Sequence, residues 1–137
     1  MGDNFKIRTM KDAPTDKEKA QKVKLVNAEY RRIKRSFNGA PENVMRILDS
    51  QIREAAYARI TLQEWKTRLD DEGWTELFQQ SINVEPYQRR KPMADMYLNL
   101  LPNYQKMMDK LAGYYEEIQG RLELEGDDFD DFTQNTR

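Results

Sequence analysis

The sequence predicts an all-α protein: a basic N-terminal helix followed by a long antiparallel helical hairpin with heptad seams, assembled into an oligomer. Three observations predict it. The apolar residues Met93, Tyr97, Leu100, Tyr104, Met107, Leu111, Tyr114 and Ile118 recur at alternating steps of four and three. That spacing draws one narrow stripe on one face of a long helix. A second stripe, Val44, Leu48, Ala55, Ala58, Leu62, Trp65 and Leu69, keeps the same rhythm, with Gln51 at its one polar position. As helices, residues 41–72 and 92–119 would rise about 48 and 42 Å at roughly 1.5 Å per residue, so the stripes match in length and can face each other.

Taken in order, residues 1–14 precede any helix, because Pro14 stops one. Thr15 and Glu18 then form a capping box, a hydroxyl at the N-cap and a carboxylate three residues on. The helix they open is expected from Asp16 to about Phe37, with Val23, Val26, Tyr30, Ile33 and Phe37 on its apolar side. Asn38-Gly39 ends it, and Pro41 begins the next helix, where a missing N–H costs nothing. That second helix ends at Gly73, after Asp70, Asp71 and Glu72, acids that oppose the helix dipole and predict fraying. The connector 73–91 is long for a hairpin turn and carries Trp74, Leu77, Phe78, Ile82, Val84 and Tyr87. It is expected to form either a short helical turn over 75–80 or a pair of short strands. Pro102 lies inside the third helix without breaking the stripe, which predicts a kink. Gly126 and the acids after it are expected to end the helix near Glu125, leaving residues 126–137 disordered. The domain reading is a basic segment at 1–40, an oligomerising hairpin at 41–120 and an acidic tail at 121–137.

Composition narrows the function. The 137 residues are 34% charged, and they contain neither Cys nor His. The mean hydropathy is −0.99, which suits elongated helices that complete their burial by self-association. Without imidazole or thiolate, a zinc or transition-metal site lacks its usual ligands, and the commonest general base is missing. The expectation is therefore a protein with no cofactor that is not an enzyme. No apolar run approaches the ~18 residues of a membrane span, and residues 1–14 lack the apolar core of a signal peptide. The expected setting is the cytoplasm.

The net charge of −1 hides a gradient. Residues 1–40 hold eleven Lys/Arg against five Asp/Glu, whereas residues 121–137 hold two against six. A basic head and an acidic tail predict two partners. Lys17, Lys19, Lys22, Lys24, Arg31, Arg32, Lys34 and Arg35 are the candidates for binding the phosphate backbone of duplex DNA, extended by Lys6, Arg8 and Lys11. Arg89, Arg90 and Lys91 are secondary candidates. In the tail, Asp127, Asp128, Phe129, Asp130, Asp131 and Phe132 form an acidic-aromatic motif suited to docking a protein partner; their spacing is not that of a calcium loop. Tyr57, Ile60, Met96, Leu101, Met108 and Tyr115 lie off the stripes and are expected to be buried between subunits.

Three segments carry a family resemblance: RITLQEWKTRLDDEGW at 59–74, ELFQQSINVEPYQRRKP ending at Pro92, and YLNLLPNYQKMMDKLAG at 97–113. Over about residues 41–118 the order of parts resembles the small subunit of a tailed-bacteriophage terminase. The chain departs from that pattern in having no clean helix-turn-helix before residue 40 and in continuing past Gly113. The resemblance implies a non-enzymatic factor in the host cytoplasm. Such a factor forms a homo-oligomeric ring, binds double-stranded viral DNA, and recruits and regulates the large ATPase-nuclease subunit. The alternative is a structural helical adaptor or scaffold of a phage particle with no nucleic-acid role.

Overall fold

The computed structural model describes residues 13–135, with side chains through Gly126. Helix α1 spans Asp16–Arg35, α2 Glu42–Glu72 and α3 Pro92–Asn135, and a two-stranded antiparallel ribbon, β1 Thr75–Phe78 with β2 Tyr87–Arg90, joins α2 to α3. The protein is therefore mostly helical, and the connector resolves to the strand alternative.

The capping box opens α1: Thr15 Oγ1 accepts from the Glu18 N–H at 3.2 Å, and Glu18 Oε2 accepts from the Thr15 N–H at 3.3 Å. After Arg35 the chain turns through Gly39, whose φ of 92° is a conformation that a side chain would strain. Gly73, at φ 97°, ends α2, its N–H donating to the Leu69 carbonyl at 2.8 Å. The end expected to fray is held as well by the next element. Lys91 Nζ donates to the Glu72 carbonyl at 3.0 Å, and the Lys91 N–H donates to the Trp74 carbonyl.

Helix α2 is the middle element, running antiparallel to both neighbours. Lys22 near the start of α1 meets Glu64, while Tyr30 near its end meets Asp49. At the other seam the Trp74 and Tyr97 rings meet edge to face at 5.5 Å, while Leu48 shares a buried cluster with Leu111 and Ile118. Being covered twice, α2 buries more than one stripe. Leu48, Ala55, Ala58, Leu62 and Leu69 of the four-three series are buried, and so are Ile52, Ala56, Ile60 and Thr61. Ile52 and Ala56 fall, by spacing, beside Asp49 and Arg53, which touch α1. Ile60, expected between subunits, is thus buried by the chain itself. Of the others in that group, Leu101 and Met108 are half-buried and Tyr57, Met96 and Tyr115 are exposed.

Two further corrections concern single residues. Val23 is exposed, because Lys22 turns toward α2 instead, pairing with Glu64 at 3.2 Å and lying over the Tyr57 ring at 4.5 Å. Tyr114 is exposed, because α3 also has to cover α1, and its neighbour Tyr115 meets the Phe37 ring at 6.2 Å. A third correction concerns the tail: α3 does not end near Glu125 but continues through Gly126 to Asn135. A Gly in a helix interior costs only about 1 kcal/mol relative to Ala, and the same helix already accommodates Gly113 and Gly120. It also runs through Pro102.

Ala56 has no accessible surface. Replacing it with Leu should destabilise the fold by about 1–3 kcal/mol through overpacking, read from the midpoint of chemical denaturation. A second expectation concerns Asp49, whose carboxyl is held below its usual range by the hydrogen bond from Tyr30 and by Arg53. A lowered folded pKa contributes stability that is full above the ordinary carboxylate value, about 4, and is lost as pH falls through the folded value. Tyr30→Phe should lower stability at neutral pH and narrow its difference from wild type as pH falls through that acidic window, measured by denaturation at a series of pH values.

Candidate nucleic-acid interface

The expected cations of α1 divide by what they touch. Lys22 is committed to Glu64 and Tyr57. Arg32 donates to Glu29 from Nε at 2.9 Å, and its hydrogen bond and charge hold the Glu29 carboxyl below its usual range. The Lys34 ammonium lies 5.5 Å from the Tyr30 ring, and Arg35 Nε donates to the Arg31 carbonyl at 3.4 Å. Lys17, Lys19, Lys24, Arg31, Lys34 and Arg35 make no ion pair among the described residues. Lys17, Lys24 and Arg31 are seven apart, and Arg35 follows at four, so these four share one outward helix face at steps of about 10 and 6 Å. A row of solvated cations with no internal carboxylates is chemically fit to meet a regular series of phosphates.

The row ends in an open groove at the α1–α2 turn. Arg31, Lys34 and Arg35 form its rim, Asn38 and Gly39 its end, and Phe37, Ala40 and Met45 its apolar lining. Sequence reasoning named the three cations but missed Asn38, Ala40 and Met45, since only the turn at Gly39 brings the start of α2 beside the end of α1. It also missed the clamp beside the groove. The Tyr30 hydroxyl donates to Asp49, Arg53 pairs with the same carboxylate at 2.8 Å, and its guanidinium lies 4.1 Å from the Tyr30 ring. This fixes the α1 face against α2.

The secondary candidates are not brought to that groove. Arg89 pairs with Glu76 at 2.8 Å across the ribbon and stacks on Phe78 at 3.5 Å. Arg90 pairs with Asp95 at 3.5 Å, and Lys91 anchors the end of α2. Each has an internal structural partner. The ribbon also carries exposed apolar side chains, Leu77, Val84, Tyr87 and Ile82, the last 96% exposed. In the tail, Asp127, Asp128, Phe129, Asp130, Asp131 and Phe132 fall within the helical span of α3, and their side chains lie outside the described residues. Lys6, Arg8 and Lys11 lie outside the described residues altogether.

Among the described residues no helix is long and apolar enough to cross a membrane. Comparison with protein families, with curated proteins and with solved structures finds no match.

Arg89→Ala should loosen the ribbon and leave the bundle folded. Exchange of the β1 and β2 amide hydrogens should accelerate, those of α2 around Ile52 should not, and the net loss should be about 1 kcal/mol, as for a part-exposed pair with one ring contact.

Proposed function

We propose that this chain is a DNA-packaging subunit of the small-terminase kind. It acts without chemistry of its own, as a homo-oligomeric ring that holds duplex DNA by its phosphates and recruits and regulates a large ATPase-nuclease subunit. The observation that carries this reading is the outward face of α1: Lys17, Lys24, Arg31 and Arg35 in register, without carboxylate partners among the described residues, leading into a cation-rimmed groove. The likeness over residues 41–118 supports the packaging assignment. The four-three stripes of α2 and α3 read as heptad seams, and the exposed Tyr57, Met96 and Tyr115 supply apolar surface for further copies. The acidic end of α3 is the segment offered to the large subunit.

The exposed ribbon residues Leu77, Ile82, Val84 and Tyr87 favour a second reading, an adaptor that joins proteins and has no nucleic-acid role. Native mass with and without duplex DNA separates the two. The packaging reading expects a defined oligomer that gains DNA mass. Its log affinity should fall against log salt with a slope of about −4 if four to five phosphates are neutralised. Replacing Lys17, Lys24, Arg31 and Arg35 with Glu should weaken binding on the order of 100-fold at low salt, whatever the DNA sequence. An oligomer that ignores DNA at every salt concentration would leave the adaptor reading.

A further inference from the structure

The two helices of the hairpin are unequal. Helix α2 has 31 residues and α3 has 44. Level with the start of α2, a Cβ on Gly39 would stand 3.6 Å from Leu122 Cδ1. Residues 123–135 therefore run beyond the bundle, about 20 Å of helix at 1.5 Å per residue. This overhang holds six carboxylates, no Lys or Arg, and the apolar Leu124, Phe129 and Phe132. Leu124 is 67% exposed. The acids crowd the negative end of the helix dipole with no base in the last turn, an arrangement that a cationic partner would relieve.

The groove of Arg31, Lys34 and Arg35 is the complementary surface: three cations over Phe37, Ala40 and Met45. The chain's own overhang is poorly placed to enter it. On α1, the flank toward α3 is the one carrying Arg32, Ile33 and Ser36, which face Met108, Leu111 and Ala112. The cationic groove opens toward α2 on the other flank, and no α3 residue among those described through Gly126 lines it. An α3 that stays helical passes beside the turn and away.

We propose that this groove receives the acidic end of α3 from a second copy of the chain, so that tail and duplex compete for the same cations. The docking stands on shape and charge alone; the competition rests on the phosphate-binding reading of α1. In the free protein the tails shield the grooves of neighbouring copies. Phosphates that enter displace them, which frees the same acidic-aromatic ends for a protein partner.

The test uses the full chain and a fluorescent peptide of residues 119–137. In a tail variant, Asp127, Asp128, Asp130 and Asp131 become Asn and Phe129 and Phe132 become Ala, which empties the grooves. By anisotropy this variant should bind the peptide about tenfold more tightly than wild type does, a difference of ~1.4 kcal/mol. Adding Arg31→Glu, Lys34→Glu and Arg35→Glu should abolish that binding. A peptide carrying Phe129→Ser and Phe132→Ser should bind weakly. A photo-crosslinker placed at position 132 of the otherwise wild-type chain should join two chains. Short duplex DNA should displace the peptide and should bind the tail variant about tenfold more tightly than wild type. No peptide binding, binding indifferent to the groove reversal or to the loss of both Phe, or crosslinks confined within one chain would each overturn the docking. Peptide docking without duplex binding would remove the DNA reading and leave the docking. Duplex binding that is equal in both proteins, with no peptide binding, would do the reverse.

Discussion

Everything in this fold depends on α2 being enclosed from two sides at one level. Ile52, Ala55 and Ala56 have no accessible surface there. Two adjacent alanines let the neighbouring helices approach closely, and Ile52 fills the space between the approaches. Neither outer helix could be covered alone. Tyr30, Ile33 and Phe37 of α1 and Leu111 and Ile118 of α3 are buried in the same cluster as this stretch of α2. The polar clamp of Tyr30, Asp49 and Arg53 sits at the margin of that cluster. There its charges remain partly hydrated and fix orientation more than they add stability.

Much of this was legible in the residue order. The capping box at Thr15, the stops at Gly39 and Gly73 and the long periodic segments on either side of the connector follow from local rules that tertiary context rarely overrides. Third-helix coverage was not legible. A four-three stripe describes how one helix meets one neighbour. It is silent on a second neighbour, and hence Ile60 is buried within the chain where burial between subunits was expected. The extent of α3 was missed for a different reason. Gly and a run of acids lower helix propensity, but a helix that is already propagating tolerates a loss of about 1 kcal/mol at a single position. Strand pairing in the connector was one of two alternatives, since four-residue apolar segments do not reveal their period.

The candidate site was legible as a list of charges and not as a surface. Sequence alone treated eight cations of α1 alike. Folding removes Lys22 and Arg32 from that list by pairing them with Glu64 and Glu29. It gives Arg31, Lys34 and Arg35 a shared setting because the turn at Gly39 brings Met45 beside Phe37. The basic triplet Arg89-Arg90-Lys91 shows the converse. Its density in the sequence suggests a binding patch, yet all three side chains tie the ribbon and helix ends together.

The ribbon has a consequence for how such a chain can change over evolutionary time. Its strands pair Thr75 with Arg90 and Phe78 with Tyr87, so the base is closed by backbone and the segment 79–86 is only a tip. Lys91 then fastens the base to the last turn of α2. Residues inserted at the tip would leave the helix register untouched, and doubling the loop would cost only about 0.6 kcal/mol in closure entropy. A single residue inserted at the base would shift α3 along α2 and turn its stripe out of the seam. Reach at the tip and register at the base are thus separately adjustable, and lineages of this fold should vary freely in the first while holding the second fixed.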